Sequence, residues 1–411
     1  MHTNQSLDKL ISGVLQEIGK LGLCLESNHQ YRRMYDRFKK FADQMNMDCY
    51  STDIIDAFLE NITQRFKTKA IGKARRNHIR RATFLLKEFA ETNVIKWKIY
   101  KIGSLSMPSS HNFVLLYMQF IDDLKFRDKS ENTIQTARNL IRQFLLFLED
   151  NGCSTLSMVI PDLIPSFFRH LLATYKSTSI RTVASHIRAF LSFSDEGTKL
   201  IPLVPLHCSR NKPIIPILTD KEYDALKLVL QSQKLSLRDK AIIQLALRTG
   251  LRASDILGIK LENIDWINDS ISILQSKTKN PLLIPLTADV GNLLSAYIRN
   301  ERPKTDNQYV FLRSLAPFTP LRDHSACYAL LRKSFSQAGI RMGNEKKGLH
   351  VIRHSVASRM LSRGVPVPTI SSILGHSNKA STEVYLETDM KNMRECALPL
   401  TGIPMTCGGL I

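Results

Sequence analysis

Hydrophobic positions recur at helical spacing through the first half of the chain. Two stretches each place apolar side chains three or four residues apart, at Met34, Tyr35, Phe38 and Phe41 and again at Leu140, Ile141, Phe144 and Phe147. Residues spaced in this way share one face of an α-helix. Neither region has the strict alternation typical of a half-buried strand. The pattern therefore predicts two small helical units in this half.

The second half adds a β element to further helices. An apolar helix is expected from Leu235 to Gly250, with another beginning at Leu251. Polar and apolar residues then alternate from Ser270 to Thr287, which predicts a β-hairpin with a polar turn. More helices are expected around 289–301, 324–339, 350–363, 367–374 and 381–388. The predicted fold class is mainly α with a small β-hairpin or sheet.

Two stretches read as breaks between folded units. Residues 96–111 contain Gly103, Pro108 and several serines, and residues 198–216 contain four prolines, which stiffen a connector and do not fit a helix interior. We therefore predict four segments, namely a helical domain at 1–98, a second helical domain at 108–197, a linker at 198–213 and a larger domain with a C-terminal tail at 214–411.

The composition indicates a protein that binds a polyanion. Lys and Arg total 57 against 37 acidic residues, a formal net charge of +20, and 43% of residues are hydrophobic. A nucleic acid would neutralise that charge, so it is the leading partner. No apolar run reaches the roughly 18–20 residues needed to cross a bilayer, and the first residues lack a signal-peptide pattern. We expect no membrane partner and a cytoplasmic, nucleoid-associated protein.

The positive charge is concentrated in one segment. Between positions 65 and 81 there are eight basic residues and no acidic one: Arg65, Lys67, Lys69, Lys73, Arg75, Arg76, Arg80 and Arg81. Surface helices usually mix signs to form ion pairs, so an uncompensated run favours contact with DNA phosphates. Lys176, Arg181 and Arg188 form a thinner version in the second unit. We predict DNA binding by both groups.

Residues suited to phosphodiester chemistry cluster in the last domain. Strand cleavage without metal needs a nucleophile, cations for the phosphate oxygens, an acid for the leaving oxygen and a partner for the nucleophile's proton. Arginine suits the second task because its planar guanidinium grips phosphate in a bidentate manner. The candidate segments are Thr249-Gly250-Leu251-Arg252-Ala253-Ser254-Asp255, Gln275-Ser276-Lys277-Thr278-Lys279, His350-Val351-Ile352-Arg353-His354, Leu374-Gly375-His376-Ser377 and Thr382-Glu383-Val384-Tyr385.

These segments resemble the tyrosine recombinases, or phage integrase family, whose members share G-L-R-x-x-[ED], a hairpin lysine, H-x-x-R, L-G-H and a tyrosine nine residues after that histidine. All five elements occur here in family order. The resemblance covers about 214–411, and a looser one to the core-binding domain covers about 108–197. It implies two small helical (SAM-like) DNA-binding domains followed by a tyrosine-recombinase catalytic domain.

The resemblance also implies the role of each site residue. Tyr385 resembles the nucleophile that forms a 3′-phosphotyrosyl link, and Arg252 and Arg353 resemble the pair that clamps the phosphate. Lys277 resembles the general acid, with Lys279 as the alternative. The remaining positions are His350 as base or hydrogen-bond partner, His376 as support for the transition state and Asp255 as the orienting acid, where family members often have Glu. By contrast, we interpret His354 as a packing or DNA-backbone residue.

The function expected from this resemblance is site-specific DNA recombination through a Holliday junction, integrating or excising a mobile element. The expected assembly is a homo-tetramer on double-stranded DNA, with a monomer or weak oligomer when free and an accessory directionality factor. No cofactor and no metal are expected, since neither a phosphate-binding G-x-x-x-x-G-K-[ST] loop nor a C-x-x-C pair is present. The alternatives are a type IB topoisomerase and a DNA-binding protein that has lost catalysis.

Overall fold

The computed structural model describes residues 6–95, 97, 107–205, 215–321, 324–375, 382 and 385. Contacts between Cα atoms divide the chain into two compact units, one comprising Ile99–Pro213 and the other comprising Met1–Lys98 together with Ile214–Ile411. The division into three domains and a linker stays a prediction. Among the described residues, no helix combines the length and apolar character needed to cross a membrane.

Four helices build residues 6–95: α1 (Leu7–Lys20), α2 (Leu25–Gln44), α3 (Thr52–Lys67) and α4 (Lys73–Thr92). The Ser51 hydroxyl caps α3 by accepting a hydrogen bond from the Ile54 amide at 3.2 Å, which satisfies one of the free amides at the helix start. The Tyr35 hydroxyl joins α2 to α4 by donating to the carbonyl of Ala82 at 3.0 Å. Each of the four helices carries buried apolar residues, and α4 packs against α1, α2 and α3.

Residues 107–205 form the second helical unit, with α5 (His111–Phe126), α6 (Glu131–Asp150), α7 (Leu163–Leu172), α8 (Ser177–Leu191) and α9 (Asp195–Leu200). Its core is rich in phenylalanine, and the rings of Phe144 and Phe167 pack edge to face with centroids 5.0 Å apart. Residues 198–203, which the sequence assigned to the linker, form the end of α9 and a short 3₁₀ turn. Pro202 fits there because it occupies the first turn of that 3₁₀ segment.

The part of the chain from residue 215 onward combines, in its described residues, seven helices with one sheet: α10 (Asp220–Gln231), α11 (Leu237–Thr249), α12 (Ala253–Leu257), β1 (Ile264–Asp265), β2 (Ser270–Leu274), β3 (Pro281–Pro285), α13 (Ala288–Asn300), α14 (His324–Gln337), α15 (Leu349–Leu361) and α16 (Val367–Leu374). A capping box between Thr219 and Glu222 starts α10. The predicted mainly α fold with a small β element is confirmed. Of the helix predicted around 381–388, only Thr382 and Tyr385 are among the described residues, and the tail after Tyr385 lies outside them.

The sheet confirms the predicted hairpin and extends it. Its order is β1-β2-β3, with both neighbouring pairs antiparallel. Ile271 lies opposite Ile284 with both side chains buried, as the alternating pattern requires when one face covers the core. Strand β1 was not predicted, because two residues are too few to show an alternating pattern.

Helix α11 lies inside the core of this unit and positions the functional residues. Buried residues, including Ala241, Ile242 and Leu245, occur around the helix rather than on one face, and α11 packs on both α13 and α15. Helix α15 is likewise buried on most sides. The polar side chains of Arg353 and Ser355 on α15 are therefore carried into the interior.

Candidate active site

The end of α11 is shaped for close approach to α16. Gly250 follows Thr249 with φ of +63°, the left-handed conformation in which glycine commonly ends helices. A Cβ at this position would lie 2.9 Å from Cδ2 of Leu374. Glycine thus lets the α11 terminus meet the end of α16, and it brings the carbonyls of Gly250 and Leu374 towards one space.

Arg353 fills that space. It is 4% exposed, and its guanidinium donates to the carbonyl of Gly250 through Nη1 and to that of Leu374 through Nη2, both at 2.8 Å. Burial, and then repulsion from the guanidinium of Arg252, lower the pKa of Arg353 to about 10. Arg353 therefore keeps its charge at neutral pH, although the site disfavours that charge.

Arg252 lies beside it, at the N-cap of the short helix α12. Its Nη2 donates to the carbonyl of Gly375 at 3.2 Å, and its Nη1 lies 3.9 Å from Oδ2 of Asp255, a side chain that is fully buried. The other oxygen of Asp255 accepts hydrogen bonds from the amide of Ser276 at 2.9 Å and from its hydroxyl at 2.7 Å. Asp255 therefore links Arg252 to the hairpin turn.

Gln275 begins that turn and is completely buried. It donates through Nε2 to the carbonyl of Leu374 at 3.3 Å, and it accepts a 2.6 Å hydrogen bond from the hydroxyl of Thr278. Lys277 and Lys279 are both exposed on the same turn, and Lys279 has φ of +57°. The hairpin is thus fixed to α16 by Gln275 while its two lysines extend into solvent.

Tyr385 is buried against α15. It is 2% exposed, and its hydroxyl lies 3.1 Å from Nδ1 of His354, with which it forms a hydrogen bond. Burial raises the pKa of the Tyr385 hydroxyl, while the positive charges of Arg353 and Arg252 act to lower it. Burial also lowers the pKa of His354 to about 4, helped by His350 and Arg353, so this imidazole is neutral near pH 7.

The structure brings several predicted site residues together and adds one. Arg252, Arg353 and Tyr385 interact at one site, with Asp255 behind Arg252. His350 is exposed on α15 and its ring faces that of His354 with centroids 6.3 Å apart. His376 lies outside the described residues. The contact between His354 and Tyr385 was missed, although four residues from His350 to His354 place both on one helix face.

The predicted DNA-binding residues are positioned in several different ways. Five are exposed: Arg65, Lys67, Lys69, Lys73 and Arg75. Three are half-buried with guanidiniums over aromatic rings, namely Arg76 at 4.5 Å from the Phe66 centroid, Arg80 at 5.8 Å from Phe84 and Arg81 at 3.8 Å from Trp97. Lys176 and Arg181 are exposed at the start of α8, whereas Arg188 donates to the carbonyls of Val204 and Pro205.

Comparison with known proteins identifies the family. The family model described as "Phage integrase family" matches residues 216–392, and the model described as "Phage integrase, N-terminal SAM-like domain" matches residues 118–196. The protein y4rA of Sinorhizobium fredii, named as an integrase/recombinase, is 30% identical over 67% of this chain and 68% of its own. The chain belongs to the phage integrase family. As a tyrosine recombinase it is an enzyme of site-specific DNA recombination.

Other relatives support the same family assignment. Tyrosine recombinase XerA of Pyrococcus furiosus is 26% identical over 67% of this chain and 91% of its own. Among solved structures, XerH bound to difH in a post-cleavage complex matches with a TM-score of 0.56 at 16% identity, covering 72% of this chain and 98% of that one. A λ integrase dimer bound to a core site matches with a TM-score of 0.53 at 16% identity, covering 78% of this chain and 89% of that one. These two likenesses concern the fold alone.

Proposed function

We propose that Tyr385 is the nucleophile with which this tyrosine recombinase cuts and rejoins double-stranded DNA. Its phenolic oxygen attacks the scissile phosphorus, a phosphotyrosyl bond to the 3′ side forms, and the bond to the 5′ oxygen breaks. The observation that carries this assignment is the convergence of the Tyr385 hydroxyl, His354 and the two arginines in one buried site. In a dry site such charges act strongly on a developing anion.

Arg252 and Arg353 hold the phosphate in this proposal. Each repels the other, and burial makes the charge of Arg353 costly, so an anion placed between them relieves both penalties. Asp255 orients Arg252 through their ion pair, and its hydrogen bonds to Ser276 couple that orientation to the hairpin turn. The same groups that bind the phosphate stabilise the charge that develops on it during attack.

Proton movement needs an acceptor for Tyr385 and a donor for the leaving oxygen. Because burial raises the pKa of Tyr385, its hydroxyl is protonated at neutral pH and must pass its proton on as it attacks. Neutral His354 lies within hydrogen-bond distance, beside His350, the acceptor implied by the family. Lys277, or Lys279 on the same turn, protonates the 5′ oxygen. His376 supports the phosphate in the transition state.

The larger reaction follows from the same assignment. Two DNA sites are exchanged through a Holliday junction by four protomers on the DNA, with the free protein a monomer or weak oligomer, and the role is integration or excision of a mobile element aided by a directionality factor. The basic residues of 65–81, with Lys176 and Arg181, hold the duplex, which associates the protein with the nucleoid. The named relatives are integrases and recombinases, which favours this reaction over type IB topoisomerase activity or inactive binding.

A suicide duplex, nicked beside the cognate site, tests the nucleophile. Wild-type protein should form a covalent protein–DNA adduct, and Tyr385→Phe should form none. Tyr328→Phe is the matched control, because Tyr328 is 49% exposed on α14, and it should form the adduct at the wild-type rate. An adduct that persists in Tyr385→Phe would exclude Tyr385 as the nucleophile. Recombinant product on paired sites then separates recombination from relaxation.

The same substrate tests the acid. Replacing the 5′ bridging oxygen by sulfur gives a leaving group that departs without a proton, so it should restore cleavage only to a variant that lacks the acid. We expect Lys277→Ala to be rescued, with Lys279→Ala close to wild type on both substrates. Rescue of Lys279→Ala alone would transfer the role to Lys279, and rescue of neither would remove the acid from this turn.

A further inference from the structure

Helices α2 and α4 line a basic groove in residues 6–95. Two cavities of about 370 Å³ and 280 Å³ lie along it and share Arg37 on their walls. Their basic lining residues come from three helices: Arg33, Arg37 and Lys40 on α2, Arg65 on α3, and Arg75 and His78 on α4. Among the described residues, no acidic side chain lines either cavity.

The groove continues past the first cavity. A third cavity shares Gln30, Met34 and His78 with it and is also lined by Arg81, whose guanidinium is held over the Trp97 ring. Lining residues on α2 run from Ser27 to Gln44, which spans about 25 Å at roughly 1.5 Å per residue. Basic side chains therefore follow a continuous path rather than a single point.

These cations are poorly compensated. Burial lowers the pKa of Arg37, and the nearby charges of Arg75, Arg65 and Arg33 lower it further. Arg33 pairs with Glu26 at 2.7 Å, but both side chains are more than 60% exposed, so this pair lies in solvent and offsets little. Asp36, the acid beside Arg37 in sequence, does not line the groove. A bound polyanion would relieve the repulsion.

We propose that this groove binds the phosphodiester backbone of duplex DNA without reading its sequence. This inference deepens the proposed function by assigning a DNA contact to residues that neither family description covers. A concave, cationic channel fits around a convex row of phosphates. Reading bases requires the opposite shape, a helix or ribbon that projects into the major groove. The partner is therefore recognised by charge spacing alone.

The α2 contribution is the new element. The uncompensated run at 65–81 indicated α3 and α4, whereas the cations of α2 are interspersed with Asp36 and Asp43 in the sequence and so do not form a run of one sign. Folding places Arg33, Arg37 and Lys40 on the groove and leaves Asp36 off its walls. The fold thus separates the basic side chains of α2 from Asp36, although they are neighbours in the sequence.

Binding of the full-length protein to fluorescent 30-base-pair duplexes of two unrelated sequences, measured from 50 to 300 mM KCl, tests this proposal. Each lost phosphate contact should reduce the slope of log K against log salt by about 0.9. Arg37→Gln/Arg75→Gln should therefore lower the slope by about 2 and weaken binding about 30-fold at 150 mM salt, equally on both sequences. Lys9→Gln/Lys20→Gln on α1 removes the same charge away from the groove and should change neither quantity appreciably.

Two results would overturn the proposal. One is an equal slope for the groove and control variants, which would leave only the general net charge as the source of binding. The other is a loss confined to one sequence, which would mean that these residues read bases. Thermal unfolding of each variant establishes that it is folded. A wild-type protein that forms no covalent adduct yet shows the slope difference would overturn the proposed chemistry and leave the groove standing.

Discussion

Gly375 contacts three parts of the candidate active site, so the substitution Gly375→Ala gives a quantitative test of the site's architecture. The residue ends α16 with φ of +62°, and its carbonyl accepts the hydrogen bond from Arg252. An added Cβ would lie 1.9–2.3 Å from the side-chain amide of Gln275. Because Gln275 is completely buried, its amide cannot simply swing into solvent.

Three costs add up for this change. A left-handed alanine costs about 1 kcal/mol relative to glycine. Displacing Gln275 forces an unfavourable side-chain rotamer, about 1 kcal/mol, and breaks its hydrogen bond to the Leu374 carbonyl, about 1 kcal/mol or more when both groups stay buried. We therefore expect a loss of about 3 kcal/mol, and a fall of about 6–12 °C in the melting temperature of the catalytic unit.

Thermal unfolding followed by circular dichroism provides the measurement, with Gly364→Ala as the matched control. Gly364 has φ of +79°, but its added Cβ would meet no heavy atom of a non-neighbouring described residue within 4 Å, so this variant carries the backbone cost alone, about 1 kcal/mol. Gly375→Ala should also slow adduct formation, since its carbonyl holds Arg252. If the two variants melt together, the close packing of Gln275 against the α16 terminus is refuted.

Three further outcomes are expected. The folded-state pKa of His354, about 4, lies below the roughly 6.5 of the unfolded chain, so its contribution to stability is complete above pH 6.5 and is lost as the pH falls towards 4. Melting temperature plotted against pH from 4 to 8 should therefore have a smaller slope for His354→Gln than for the wild type, and an unchanged slope would count against the burial of His354. Asp255→Asn should slow adduct formation about tenfold or more by removing the anion beside Arg252, and a wild-type rate would refute that orienting role. Arg353→Lys should cost about 1.5–3 kcal/mol in urea unfolding, because a single ammonium nitrogen does not reproduce the planar fork that reaches one carbonyl through Nη1 and the other through Nη2. The exposed Arg299→Lys should cost little.

Much of the local structure could be predicted from the sequence because it depends on neighbours along the chain. Gly250 ends α11 where a helix-stop was expected, and the alternation after Ser270 gives β2 and β3 in register. Strand β1 was not predicted because two residues are too few to show the alternating pattern of a strand. Residues 198–203 were assigned to a linker on their proline, yet a proline fits the first turn of a helical segment.

The sequence by itself determined the helical and hairpin elements and the order of the chemical boxes, because spacing and residue type are local properties. Tertiary structure alone decided which of those residues meet. His354 follows Arg353 directly in the sequence, but only the packing of Tyr385 on α15 makes it the hydroxyl's partner. Likewise, Arg37 joins Arg65 and Arg75 in one groove only after α2, α3 and α4 fold together. Charge and hydrogen bonding act over a few ångströms, and that distance is set by the fold rather than by the chain.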